Sequence, residues 1–302
     1  MAEHHHGESE AGEQVLRGLR FAVELSVVIF LIEAAGAYLS HSLSLSADAV
    51  HDLPDILAFA VSWTALKGTQ RGSTESFTFG THRLEVFAGL LNGGLVLGTG
   101  VLFAVEAFQS LHTGAYSGRP VDAVWLLAAA VPTIALRAAN LAVLGRIPSR
   151  VRDLNLASVM VHLASDIAIT VTLLTVGGIL LLAPSASWVD PAAAFLVGGI
   201  LIYESLPLLR EGAHVLTERT PRGLSVGEIR KEALTVPGVA EFHDVHVWAV
   251  CSSLVCMTAH VGVGPMTLED GMGVIRRLRD RMQERFGIVH ATFELESPPG
   301  AA

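Results

Sequence analysis

Six stretches of this chain are apolar over the length needed to cross a lipid bilayer, and no other feature restricts its fold so tightly. A spanning helix needs roughly 20 mostly apolar residues, because the hydrocarbon core offers backbone polar groups no partner outside the helix itself. The stretches run over about 20–40, 43–66, 84–109, 121–145, 154–182 and 189–209. Charge density agrees: 16% of the 302 residues are Asp, Glu, Lys or Arg, against about 25% in soluble domains. Basic residues are also sorted. Arg119 is the single one in the loops after the first, third and fifth stretches. Arg17, Arg20, Lys67, Arg71, Arg83, Arg146, Arg150, Arg152 and Arg210 collect at the opposite ends. The positive-inside rule then places both termini in the cytoplasm.

After about residue 210 the texture changes. Ser225 to Leu234 reads as a helix, Phe242 to Val250 and Ser253 to Val263 alternate as strands, Leu268 to Phe286 is an amphipathic helix, and His290 to Glu296 alternates again. The order αββαβ predicts a small α+β domain of ferredoxin-like kind, with helices on one face of a three-stranded sheet. The predicted organisation is a disordered tail over 1–15, a membrane all-α six-helix bundle over 16–210, and a cytoplasmic α+β domain over 211–302. The net charge of −9 comes with no basic stripe, so nucleic acid is not an expected partner. Cys251 and Cys256 have no partner pair elsewhere, which argues against a disulfide framework. The start of the chain lacks the basic segment and cleavage site of a signal peptide. With the short loops, this leads to an expectation of a bacterial inner membrane.

An ionisable group inside a spanning helix is costly and marks a functional site by default. The second stretch contains His51 and Asp55, and the fifth contains His162 and Asp166. Each pair has the spacing H-x-x-x-D, which puts both side chains on one helix face. If the two faces meet, they offer two imidazoles and two carboxylates, a donor set suited to tetrahedral Zn²⁺. Magnesium and calcium prefer oxygen alone. Asp48 and Asp52 flank His51 and are candidates to orient an imidazole from behind. Pro54 removes one helical hydrogen bond between the two ligand positions. Glu33 stands as a candidate on a proton path, and Arg137 and Asn140 read as interhelical polar contacts.

Four motifs in order resemble the cation diffusion facilitator family, and the match runs through nearly the whole chain after about residue 15. They are the two His–Asp pairs, Phe79-Gly80-Thr81-His82-Arg83-Leu84-Glu85 leading into the third helix, Trp188-Val189-Asp190-Pro191 opening the sixth, and Phe242-His243-Asp244-Val245-His246-Val247-Trp248 in the C-terminal domain. The resemblance implies a homodimeric secondary transporter that exports Zn²⁺ from the cytoplasm in exchange for protons. His51, Asp55, His162 and Asp166 would form the metal site, and the His/Asp composition is similar to the zinc-preferring branch. It also implies that His243, His260, Glu294 and Glu296 hold a regulatory zinc at the dimer interface. Arg83 and Glu85 are expected to pair with each other in the loop between the second and third helices. The family's long His-rich loop is missing between the fourth and fifth helices, where Leu144 to Asp153 contains no histidine.

Two further classes stay open on the residues alone. Another transition metal, such as Cd²⁺, Co²⁺, Ni²⁺ or Fe²⁺, fits a similar donor set, since affinity order does not select zinc. A metal receptor that binds without transporting would carry the same ligands. A membrane metalloprotease is disfavoured because no H-E-x-x-H occurs.

Overall fold

Each apolar stretch folds as one helix, and the computed structural model gives their limits. Backbone is described for residues 2–68, 75–114, 120–145, 154–252 and 254–297; the side chains of 2–19, 22, 55, 58–68, 144, 154–159 and 161 lie outside the description. The helices are α1 (Ala2–Ser40), α2 (Leu43–Gly68), α3 (Arg83–Thr113), α4 (Ala123–Gly145), α5 (Leu154–Leu182) and α6 (Val189–Leu216). Among the described residues, all but α2 contain a window long and apolar enough to cross a membrane. Helical backbone begins at Ala2, where the sequence reading expected a disordered tail through residue 15. Glu3, Glu8, Glu10, Ala11, Glu13 and Gln14 are all good helix formers. The short 146–153 loop lies outside the described residues.

The chain divides into two compact units, Met1–Arg71 with Leu91–Leu209, and Gly72–Leu90 with Arg210–Ala302. In the first, α1 packs on α2 and α4, and α4 packs on α5. One apolar cluster joins Ala37, Leu45, Leu126, Ala130, Leu173 and Val176. A second joins Ala47, Val96, Phe103, Ile169, Val197 and Leu201. Small residues let helix backbones approach closely. A Cβ built on Gly198 would stand 2.8 Å from the Gly100 carbonyl oxygen, and one on Gly100 would stand 2.9 Å from that of Gly198. The α3–α6 crossing therefore requires both glycines.

Asp190, in the first turn of α6, sets where α2 begins. Its carboxylate accepts hydrogen bonds from the Ser42 and Ser44 hydroxyls, each at 2.5 Å, and from the Leu43 amide at 2.7 Å. Those groups sit at the N-terminus of α2, whose first amides have no partner within the helix. Pro54 lies within α2 and is buried.

In the second unit, α7 (Val226–Ala233), β1 (Glu241–Cys251), β2 (Leu254–Gly262), α8 (Leu268–Phe286) and β3 (His290–Glu296) realise the αββαβ order. The sheet order is β1-β2-β3, with β1 antiparallel and β3 parallel to β2. Ser225 caps α7 and Thr267 caps α8, and Gly287 closes α8 at φ 66°. Val274, Leu278 and Met282 recur at intervals of four along α8 and are buried with Ile229 and Ala233 of α7. The two helices pack on each other and against β1 and β3. A register shift between His243 and His246, with Asp244 at φ 50°, interrupts the β1 ladder. The buried phase accordingly moves from Phe242 to Val247 and Ala249.

Residues 75–90 belong with this unit, so its boundary differs from the single cut expected near 210. The contacts explain why. The Ser252 hydroxyl donates to Glu85 Oε1 at 2.6 Å, Arg83 Nη2 meets Glu218 Oε1 at 3.2 Å, and Phe79 packs edge-on to His290. Arg83 and Glu85 therefore do not pair with each other as expected. Two residues apart on a helix, their side chains point in different directions. Cys251 and Cys256 are both buried, and Cys251 Sγ lies 3.5 Å from His82 Nδ1.

Candidate metal centre

α2, α5 and α6 each present one side of a small polar pocket inside the first unit. His51 of α2 has 1% of its side chain exposed; its Nε2 lies 3.8 Å from Asp166 Oδ1 of α5. One turn back on α5, His162 Nε2 lies 3.9 Å from Asp166 Oδ2, the reach expected of an i,i+4 pair. The two imidazoles stand edge to face with centroids 5.6 Å apart. The sequence reading thus brings His51, His162 and Asp166 together. Asp55 occupies its expected place in α2, and its side chain lies outside the described residues.

A fourth donor was not anticipated. Glu204 of α6 places Oε2 4.0 Å from His162 Nδ1. Ligand atoms of His51, His162 and Glu204 all lie within 4.8 Å of one another, a grouping that can hold a metal ion. Glu204 was legible by the same rule that singled out the His–Asp pairs, an acid inside a spanning stretch. It has no His or Asp three or four residues away on α6, so its sequence signal was weaker.

Behind α2 and α5 sits a buried ionic cluster centred on Arg137 of α4, 2% exposed. Its Nη1 donates to Asp48 Oδ2 and to the Asp166 carbonyl oxygen, each at 3.0 Å, and to Thr170 Oγ1 at 2.5 Å. Its Nη2 meets Asp52 Oδ1 at 3.0 Å and Glu33 Oε1 at 3.2 Å. Asp48 and Asp52, read in the sequence as supports for an imidazole, both take hydrogen bonds from this guanidinium. Glu33 joins them. One cation thereby ties α1, α2, α4 and α5 at the level of His51. A charge is tolerated at such depth only when its hydrogen-bonding capacity is met.

A separate cluster lies on the sheet of the second unit. His243 and His260 are paired across β1 and β2, and His260 faces Glu294 across β2 and β3. His260 Nδ1 is 2.6 Å from Glu296 Oε1, and His243 Nε2 is 3.3 Å from Glu296 Oε2. Ligand atoms of these three residues also fall within 4.8 Å of one another. Glu294 is more peripheral, 3.8 Å from His260 Nε2 and 71% exposed. Asp244 was missed. The bulge turns it toward His260, 3.5 Å from Nε2, which a strictly alternating strand would not do.

Comparison with known proteins agrees with both halves of this architecture. A family model described as the cation efflux transmembrane domain matches residues 19–217, and one described as the cytoplasmic domain of cation efflux proteins matches 221–298. The metal cation efflux system protein CzcD of Cupriavidus metallidurans is 29% identical, over 94% of this chain and 87% of its own length. The zinc transporter ZitB of Pectobacterium atrosepticum is 30% identical, over 97% of this chain and 88% of its own. A cadmium, cobalt and zinc/H(+)-K(+) antiporter of Bacillus velezensis is 25% identical, over 97% and 92%.

Proposed function

The chain belongs to the cation diffusion facilitator, or cation efflux, family of integral membrane transporters of divalent metal cations, and from that premise we propose that its cargo is Zn²⁺, exported in exchange for protons. The observation that carries this reading is that His51 of α2 reaches Asp166 of α5 at 3.8 Å, while His162, one turn from Asp166 on the same helix, reaches it at 3.9 Å. Bond lengths of about 2.0–2.2 Å put tetrahedral zinc ligands roughly 3.3–3.6 Å apart. The observed separations exceed that by only a few tenths of an ångström, which small side-chain movements close. Mixed imidazole and carboxylate donors favour zinc over magnesium or calcium. Asp55, one turn beyond His51, is the remaining ligand in this proposal.

Zinc ligands bind in their deprotonated forms, so loading the site releases protons, and protonation of the imidazoles weakens the hold on the metal. A site opened alternately to the cytoplasm and to a more acidic exterior then exports zinc against its gradient. The host membrane in this reading is a bacterial inner membrane with both termini cytoplasmic, consistent with the basic residues between helices and with the cytoplasmic-domain match at 221–298. We assign the chain as a homodimer, joined partly through the C-terminal domain. His243, His260 and Glu296 are proposed to take a regulatory zinc there, with Glu294 and Asp244 beside them. Their convergence on one sheet face supports this role.

The test is zinc flux in proteoliposomes under an imposed pH gradient. Flux is expected in the parent protein and lost in Asp55→Ala, Asp166→Ala and His162→Ala with protein still inserted; normal flux in either aspartate variant overturns the site. Metal binding without flux would make the protein a receptor. The Bacillus relative is named for cadmium and cobalt as well as zinc, so the flux series includes both ions, and cadmium or cobalt moved in preference to zinc overturns the cargo assignment.

A further inference from the structure

We infer that Glu204 is a further ligand for the transported cation, supplying a carboxylate from α6 on the Nδ1 side of His162. The inference rests on the cargo-site reading above and adds a third helix to it. Glu204 Oε2 is 4.0 Å from His162 Nδ1, while Asp166 Oδ2 faces the other ring nitrogen at 3.9 Å. His162 therefore stands between two carboxylates, one from its own helix and one from α6. His51, His162 and Glu204 form a three-donor set whose ligand atoms are mutually within 4.8 Å.

Glu204 is also held as a ligand should be. Its Oε1 accepts a hydrogen bond from the Ser165 hydroxyl on α5, which fixes the carboxylate and leaves Oε2 turned toward the histidines. Oε2 is buried and has no hydrogen-bond partner among the described residues; the same is true of Asp166 Oδ1. A buried carboxylate oxygen left without a donor is expensive unless a cation completes it. Two such oxygens flanking one imidazole pair are the arrangement a divalent ion satisfies.

Position adds a second argument. Glu204 and Ser165 line a cleft of about 520 Å³ between α5 and α6, together with Phe195, Gly199 and Tyr203. Its wall is mostly apolar, so Glu204 is its charged group and the donor nearest the histidines on that side. A cation seated on His51, His162 and Glu204 occupies the cleft side of the pocket, and one seated with Asp166 occupies the inner side. The two seats share both imidazoles, which lets cargo pass between them without losing all its ligands.

The experiment uses the full-length transporter carrying His243→Ala and His260→Ala, so that the C-terminal cluster does not contribute, in detergent with Zn²⁺ and Co²⁺ as probes. Glu204→Gln keeps the shape and the Ser165 contact and removes the charge. It is expected to weaken zinc binding about tenfold or more. Glu204→Cys, loaded with cobalt, is expected to show a thiolate-to-cobalt charge-transfer band absent from the parent, which contains the same Cys251 and Cys256. Should Glu204→Cys fail to insert, restoration by Glu204→His of the affinity lost in Glu204→Gln replaces that readout. Unchanged affinity in Glu204→Gln overturns the inference, and so does weakened affinity with neither a cobalt–thiolate band nor histidine rescue, which would mark Glu204 as only a positioning residue. Asp166→Asn separates the two levels. If it abolishes binding while Glu204→Gln does not, the cargo-site reading stands and Glu204 falls; if Asp166→Asn and His162→Ala both bind normally, the cargo site itself falls.

Discussion

Arg137 Nη1 donates to the backbone carbonyl oxygen of Asp166 at 3.0 Å. An arginine on α4 thus holds the main chain of α5 at the residue whose side chain faces both histidines. The same guanidinium binds Asp48 and Asp52, on either side of His51 in α2. The geometry of the candidate centre thus depends on a cation that reaches Asp166 through its backbone oxygen.

Replacing Arg137 with Met leaves Asp48, Asp52 and Glu33 buried without their cation. Breaking a buried pair in this way costs about 3–5 kcal/mol, so Arg137→Met should unfold at clearly lower temperature in detergent. Arg137→Lys keeps the charge and loses the planar fork of donors. It should fall between the two in thermal stability and bind zinc more weakly than the parent. A melting temperature equal to the parent's in Arg137→Met would show that the cluster does not tie the helices.

Gly198→Ala and Gly199→Ala form a matched pair. A Cβ on Gly198 meets the Gly100 carbonyl at 2.8 Å and the Ala104 amide nitrogen at 3.0 Å, while a Cβ on Gly199 meets nothing within 4 Å. Backbone cannot yield as a side chain does, so overpacking at Gly198 should cost about 1–3 kcal/mol. Gly199→Ala should be neutral or slightly stabilising, as alanine is the better helix former. Equal thermal shifts in the two variants would contradict the close α3–α6 crossing.

Asp190→Ala removes the acceptor of the Ser42, Leu43 and Ser44 hydrogen bonds. Loss of a capping acceptor costs about 0.5–2 kcal/mol, and here a buried set of donors is stranded, so the upper end is expected. The first turn of α2 should exchange amide hydrogens faster in Asp190→Ala, and Asp190→Asn should recover part of the protection. Unchanged exchange at Leu43 to Leu45 would remove Asp190 from this role.

Burial pushes the Cys256 thiol above its ordinary pKa, and the neighbouring Cys251 adds to the rise. A raised pKa means less thiolate at any given pH, and the thiolate is the reactive form. Maleimide at pH 8 should therefore label Cys256 far more slowly than a free thiol. Reactivity should rise with pH and become complete only on denaturation. Rapid labelling of the folded protein would indicate that this end of the β1–β2 hairpin opens readily.

Much of the C-terminal domain was legible because its signals are local. Val274, Leu278 and Met282 repeat at helical spacing, and Ser225 and Thr267 are N-cap residues at the starts of their helices. The strands follow alternation, which breaks at the bulge by Asp244 and again between Ala249 and Cys251. A bulge depends on how the partner strand is paired, so β1 read alone does not reveal it. That is why Asp244 was missed beside His260 while His243 and Glu296 were found.

The bundle divides in the same way. Apolar length and the cost of burying ionisable groups determined, from sequence alone, the six helices, the fold class and the two His–Asp faces, because each is a property of one helix and its solvent. Only the tertiary structure decided that α6 brings Glu204 to His162, that Arg137 gathers Glu33, Asp48 and Asp52, and that Asp190 caps α2 from the sixth helix. Those are relations between helices. Helical periodicity says which side chains share a face, and packing alone says which face meets which neighbour.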